Sequence, residues 1–141
     1  MKHTPIIICS FAVLILVTSC SYDKNLIGNW AIMEMYSRHE VIFGNKWNYG
    51  VGPTMTIKGK HVFIDFHGYR TNLEGRLTYM KSKGKTLIEF SEFSDQVLNS
   101  IYEMKLDLII GTKTSKYKKI EMILESDSVF IKAIKSETSL I

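Results

Sequence analysis

From residue 54 to the end, the chain alternates apolar and polar residues in short runs, broken every seven to twelve residues by turn signals. A period of two places successive side chains on opposite faces of a strand, so each run has one face for a core and one for water. The clearest run is Ile101 to Ile110, where Tyr102, Met104, Leu106, Leu108 and Ile110 oppose Glu103, Lys105 and Asp107. Leu73, Gly75, Leu77 and Tyr79 alternate with Glu74, Arg76 and Thr78, and Val62, Ile64 and Phe66 share a face against Phe63, Asp65 and His67. Ile120, Met122 and Leu124 oppose Lys119, Glu121 and Glu125. A one-residue slip would turn each set outward, so the register is strongly specified. No helical period is sustained beyond two turns.

Gly59-Lys60 and Lys83-Gly84 mark tight hairpins, and Glu125-Ser126-Asp127-Ser128 closes the last one. The pattern predicts eight strands, at 29–36, 54–59, 61–67, 71–81, 85–93, 100–110, 117–125 and 129–135. A single helical turn is expected at Ser94–Leu98, capped by Ser94 or Asp95. Short connections make successive strands antiparallel neighbours. Eight such strands must bury one face, and closing the sheet removes both edges. The expected fold is all-β: an eight-stranded antiparallel up-and-down β-barrel, with an interior wide enough for packed side chains or one small ligand. A sandwich would need longer crossovers than most connections here provide.

The start of the chain has a different chemistry. Lys2 precedes an unbroken apolar run from Ile6 to Val17, of signal-peptide length and short of the ~20 residues a spanning helix needs. Val17-Thr18-Ser19 then leads into Cys20. This stretch resembles the lipobox of bacterial lipoproteins. The resemblance implies diacylglycerol on the Cys20 sulfur, cleavage before Cys20 and acylation of the new amino terminus, palmitate being a typical chain. The expected organisation is a signal peptide over 1–19, a lipidated tether over 20–25 and one barrel domain over 26–141. The mature chain is then tethered to the bilayer of a bacterial envelope, with the outer membrane as the expected site. Several acyl chains are needed, because one anchors only marginally.

The first strand opens Leu26-Ile27-Gly28-Asn29-Trp30. This resembles the Gly-x-Trp start of lipocalins and the wider calycin group, and the "Leu-x-Gly-x-Trp" opening of lipocalin-like lipoproteins of Bacteroidetes-type bacteria. The resemblance implies structural roles: Gly28 lets the chain bend into the barrel and Trp30 plugs its closed end. The second lipocalin motif, Thr-Asp-Tyr-like, is missing, and no arginine follows Arg76 to cover the tryptophan. Lys132 or Lys135 is the substitute for that cover.

Between the first two expected strands lies Ser37 to Pro53, long beside a median connection of about 4–6 residues. It carries Phe43, Trp47 and Tyr49 among glycines. In lipocalins this position holds the lid, so these rings either touch a ligand or partner or fold back to plug the mouth.

Net charge is +4, too mild for a nucleic-acid footprint. The basic stretch Lys113–Lys119 reads as a solvated turn, with contact to anionic surface groups as the alternative. His61, Asp65 and His67 share a strand face but read as its wet side rather than a metal site. Glu34 shares the parity of Trp30, Ile32 and Tyr36, although Met33 and Met35 opposite make that facing ambiguous. No nucleophile elbow, zinc motif, phosphate loop or dinucleotide fingerprint is present, so no cofactor and no catalysis are expected. The leading expectation is a non-enzymatic, membrane-anchored, lipocalin-like lipoprotein carrying a small apolar or amphipathic ligand. Its candidate lining is Phe66, Tyr79, Phe90, Tyr102, Met104 and Leu106, with Phe43, Trp47 and Tyr49 at the mouth. The alternative is an interaction module with a solid barrel, which binds an envelope protein or a toxin through the first loop.

Overall fold

A computed structural model describes residues 24–38, 41–43, 52–68, 70–112, 114 and 116–138. Cys20, Trp47 and Tyr49, the cleavage site and most of the expected lid lie outside the described residues, as does the side chain of Phe43. Among the described residues, no helix is long and apolar enough to cross a membrane.

A 3₁₀ turn at Lys24–Leu26 leads into nine strands: β1 Gly28–Ser37, β2 Val41–Phe43, β3 Thr54–Lys58, β4 His61–Asp65, β5 Leu73–Ser82, β6 Lys85–Ser91, β7 Ile101–Ile110, β8 Tyr117–Glu125 and β9 Val129–Thr138. All pairings are antiparallel and follow chain order from β3 to β9. The last strand then pairs with the first, from Ala31↔Ile134 to Ser37↔Val129, and closes the barrel. The expected eight-stranded up-and-down barrel is therefore the fold.

The ninth strand does not enlarge the ring. β3 pairs with Gly28–Ala31, and β2 pairs with Met35 and Tyr36 farther along the same edge of β1. The two share one position in a ring of eight. This corrects the reading of residues 37–53 as a connection without regular structure: its first part turns back as a strand against β1. Three residues carry too little pattern to announce themselves.

Burial follows the alternation. Leu73, Gly75, Leu77 and Tyr79 point inward along β5, as do Val62 and Ile64 along β4 and Ile120, Met122 and Leu124 along β8. The first strand departs from it. A bulge between Ile32 and Glu34 shifts the register against β9, so the inward set is Trp30, Ile32 and then Met35. Glu34 is thus not carried inside by the parity of Trp30. An extra residue in one strand flips every later side chain to the other face, which is why Met33 and Met35, two apart and of the same parity, face opposite ways: Met33 is exposed and Met35 buried. On the β4 side the strand stops at Asp65. His67 has φ 51° and leaves the face assigned to it, its backbone N–H donating to the Asp65 carboxylate at 2.8 Å.

Candidate functional site

The ring has two ends. At one lie the start of β1, the β3–β4, β5–β6 and β7–β8 turns and the end of β9; at the other lie the remaining connections.

The first end is sealed by the opening motif. Trp30 has no exposed surface, and its indole N–H donates to the Leu26 carbonyl at 2.8 Å, so the 3₁₀ turn is drawn over the barrel floor with Leu26 buried. The Lys135 ammonium lies 4.8 Å from the centre of the Trp30 ring. It donates to the carbonyls of Asn25 and Ile27 and pairs with the Glu137 carboxylate at 2.9 Å. Of the two lysines expected to cover the tryptophan, Lys135 does so, whereas Lys132 faces Glu121 at 3.6 Å. Gly28 has φ 134°, and a Cβ there would stand 3.1 Å from the Lys135 Cδ. The bend and the lysine stem therefore both call for glycine.

The second end is filled by a segment that pattern reading assigned elsewhere. The 85–93 run ends as a strand at Ser91; Glu92 takes φ 65°, and the chain turns so that Phe93 is buried inside the ring. Phe93 occupies the space beside Gly75, where a Cβ would come within 2.5 Å of the ring. The expected helical turn follows at Gln96–Leu98, capped by Asp95, whose carboxylate accepts from the Val97 N–H. Asn99 ties the segment into a loop: its side chain accepts from the Phe93 N–H at 2.9 Å and donates to the Phe93 carbonyl at 3.0 Å. Leu98 is fully buried, and the Tyr102 hydroxyl donates to its carbonyl at 2.8 Å. The rings of Phe93, Phe90 and Tyr102 pack in sequence at tilted angles of 54° and 53°, with centroids 5.5 and 5.0 Å apart.

Of the candidate lining residues, Phe66, Tyr79, Phe90, Tyr102 and Met104 are buried in the core, and Leu106 is half-buried against it. Twelve core side chains, Trp30, Met55, Ile64, Ile88, Tyr102 and Ile131 among them, have no exposed surface at all. Phe93 and Leu98 were missed as site residues because a tight non-repeating loop has no period. The available signal was the pair of asparagine and aspartate caps around an apolar pair.

Burial pushes the Tyr102 phenol well above its ordinary value, with the Asp95 carboxylate adding to the effect. A phenol whose folded pKa exceeds the unfolded value of about 10 contributes stability that is whole below pH 10 and lost as pH rises beyond it. Tyr102→Phe is expected to cost about 1 kcal/mol at neutral pH through the lost hydrogen bond, and to lessen the fall in stability above pH 10. Urea midpoints measured from pH 8 to pH 11 check both; an unchanged alkaline slope would contradict the assignment to Tyr102.

Outside the barrel, the walls of β6, β7 and β8 form an open depression of about 580 Å³. Leu87, Ile101 and Ile123 supply its apolar part, with Lys105, Glu103, Glu125 and Asp127 around them. Ile101 is 52% exposed, the most of any large apolar residue described. A smaller cleft of about 260 Å³, formed by Asn25, Leu106, Asp107, Leu108, Lys118 and Ile120, opens at the floor end. No three His, Cys, Asp or Glu side chains among the described residues gather as a metal site; His61 and His67 are both exposed.

Comparison with protein-family models, with curated proteins and with solved structures finds no match.

Proposed function

We propose that this chain is a lipocalin-like lipoprotein of the bacterial envelope, anchored through acylated Cys20, whose solid barrel presents an interaction surface to an envelope protein. The observation that carries this reading is the packing of the interior. A drug-sized ligand needs roughly 300–1,000 Å³ of concave space, whereas the inward side chains of this ring pack against one another and Phe93 and Leu98 fill the end where a cup would open. The lipocalin likeness rests on Gly28, on buried Trp30 and on a cation over that ring, here a lysine. The recognising surface in this reading is the depression at Ile101, together with the first loop singled out by the sequence, whose Trp47 and Tyr49 lie outside the described residues. Its apolar floor and mostly acidic surround suit a partner offering an aliphatic or aromatic anchor among basic residues.

Carriage of a small apolar ligand is the second reading, and the floor-end cleft at Leu106 favours it. One experiment separates the two. A photo-crosslinking residue is placed at Ile101 or at Trp47 of the full chain in its own envelope, with exposed Phe63 on β4 as control. The interaction reading expects one discrete protein adduct from position 101 or 47, none from 63, and no uptake of a fluorescent fatty acid by the purified protein. Stoichiometric fatty-acid uptake without an adduct would establish the carrier instead.

A further inference from the structure

Strand β7 outruns its neighbour. Its pairing with β6 ends at Leu87↔Glu103, yet it continues to Ile110 with only β8 beside it. The outer end of this ribbon is the most apolar exposed part of the described surface: Leu108, Ile109, Ile110 and Tyr117 are 42%, 43%, 48% and 51% exposed. A bulge between Leu108 and Ile110 breaks the alternation there, so the polar face expected from the sequence gives way to consecutive aliphatics. Lysines outnumber acids on the outer part of the ribbon, with Asp107 in the cleft beside Leu108 and Glu137 of β9 in register with Lys118. Between Asp107 and Glu121 there is no acid, and Lys116, Lys118 and Lys119 lie on or beside β8. Monomers seldom expose such a cluster without use.

The position of the ribbon says what covers it. Asn25 shares the floor-end cleft with Leu108 and Lys118, so the ribbon lies where the chain enters the barrel. Four residues lie between Cys20 and Asn25, a reach of about 17 Å when extended. Acyl chains at Cys20 therefore hold the floor end, not the plugged end, against the bilayer. We infer that the outer end of the β7–β8 ribbon is a second membrane contact, inserting Leu108, Ile109 and Ile110 into the interface of an anionic bilayer. This inference rests on the anchor reading for its geometry. Aliphatics entering the acyl boundary, a tyrosine at headgroup level and lysines on lipid phosphates are the combination that holds a segment in an interface. The second contact would fix the barrel's orientation and turn its plugged end away from the membrane.

The test uses the full chain, processed in a bacterial host and reconstituted in vesicles of equal parts phosphatidylglycerol and phosphatidylethanolamine. Labelled palmitate reports the anchor separately. An environment-sensitive fluorophore is attached at Ile109→Cys or, as control, at Asp127→Cys in the β8–β9 turn. Quenching by brominated lipid at 109 but not at 127 is expected, and each of Lys116→Ser and Lys119→Ser should lower the ratio of inserted to water-exposed probe about fivefold, as about 1 kcal/mol per lysine implies. Palmitate incorporation with a water-exposed probe at 109 overturns the inference while leaving the anchor standing. Quenching at 109 when vesicles are added to a chain that takes up no palmitate keeps the contact and removes the anchor; no palmitate and no quenching removes both. Shielding from aqueous quencher without quenching by lipid points to a protein on the ribbon and overturns the bilayer assignment.

Discussion

Trp30→Ala is expected to lower the stability of the barrel by about 3–5 kcal/mol, the range for emptying a large aromatic site in a core. The site meets the conditions for the upper part of that range. The ring has no exposed surface, so the void cannot fill with solvent, and the surrounding strands are tied on both sides of β1. The Leu26 carbonyl also loses the indole donor, and the Lys135 ammonium loses the ring beneath it while keeping its carbonyl and carboxylate partners. Against a total of 5–15 kcal/mol for an ordinary domain, this leaves a barrel close to unfolding at ambient temperature. Denaturant midpoints at an unchanged slope measure the loss. Trp30→Phe keeps much of the volume but not the donor, and should fall between the parent and the alanine variant. A loss below about 1 kcal/mol for Trp30→Ala would mean that the floor collapses freely and that the motif holds nothing in place.

The parts of this molecule that were legible in its sequence are those governed by a period. Tyr102 and Met104 on β7, Ile120 to Leu124 on β8 and Leu73 to Tyr79 on β5 announce their facing through spacing alone, and the short turns between them dictate neighbours. Closure follows from the count of strands, because an open sheet of that length would leave two edges of unpaired backbone N–H and C=O groups. What was not legible turns on single residues that break the period. The bulge after Ile32 inverts the facing of Glu34 and Met35, and nothing in a run of alternating apolar residues says where a register shift falls. Phe93 reads as one more strand residue until Glu92 takes a positive φ and drops the ring beside Gly75. That glycine sits on the inward parity of β5, and a missing side chain in a core face signals that something must fill its place. The signal names the vacancy but not the occupant. Whether the interior is a cup or a solid depends on such contacts, so the fold was readable while the choice between carrier and interaction module was not.

Lys135→Met is expected to cost about 2–4 kcal/mol, although the replacement keeps an apolar stem of similar length. The cost lies in the groups the ammonium serves. It reaches the carbonyls of Asn25 and Ile27 and the Glu137 carboxylate while itself only 4% exposed. A hydrogen bond to a charged donor contributes about 1.5–3 kcal/mol, and less here because Asn25 and Ile27 are exposed and water takes up part of the released carbonyls. The carboxylate contributes less, because Glu137 is more than a third exposed and water replaces the lysine there. The effect should also be local: with both carbonyls released, the turn at Lys24–Leu26 frays, and limited proteolysis near that turn should quicken by more than the global loss explains. Lys135→Arg tests whether charge alone suffices. The lysine stem already passes close to Gly28, and a planar guanidinium does not fit a site built for a compact donor, so only partial rescue is expected. A double-mutant cycle with Trp30→Leu, which removes the aromatic face, then isolates the cation over the ring, with a coupling of about 0.5–2 kcal/mol expected. A coupling near zero, with the proteolytic effect intact, would assign Lys135 wholly to the two carbonyls and leave the indole as a plain hydrophobic plug.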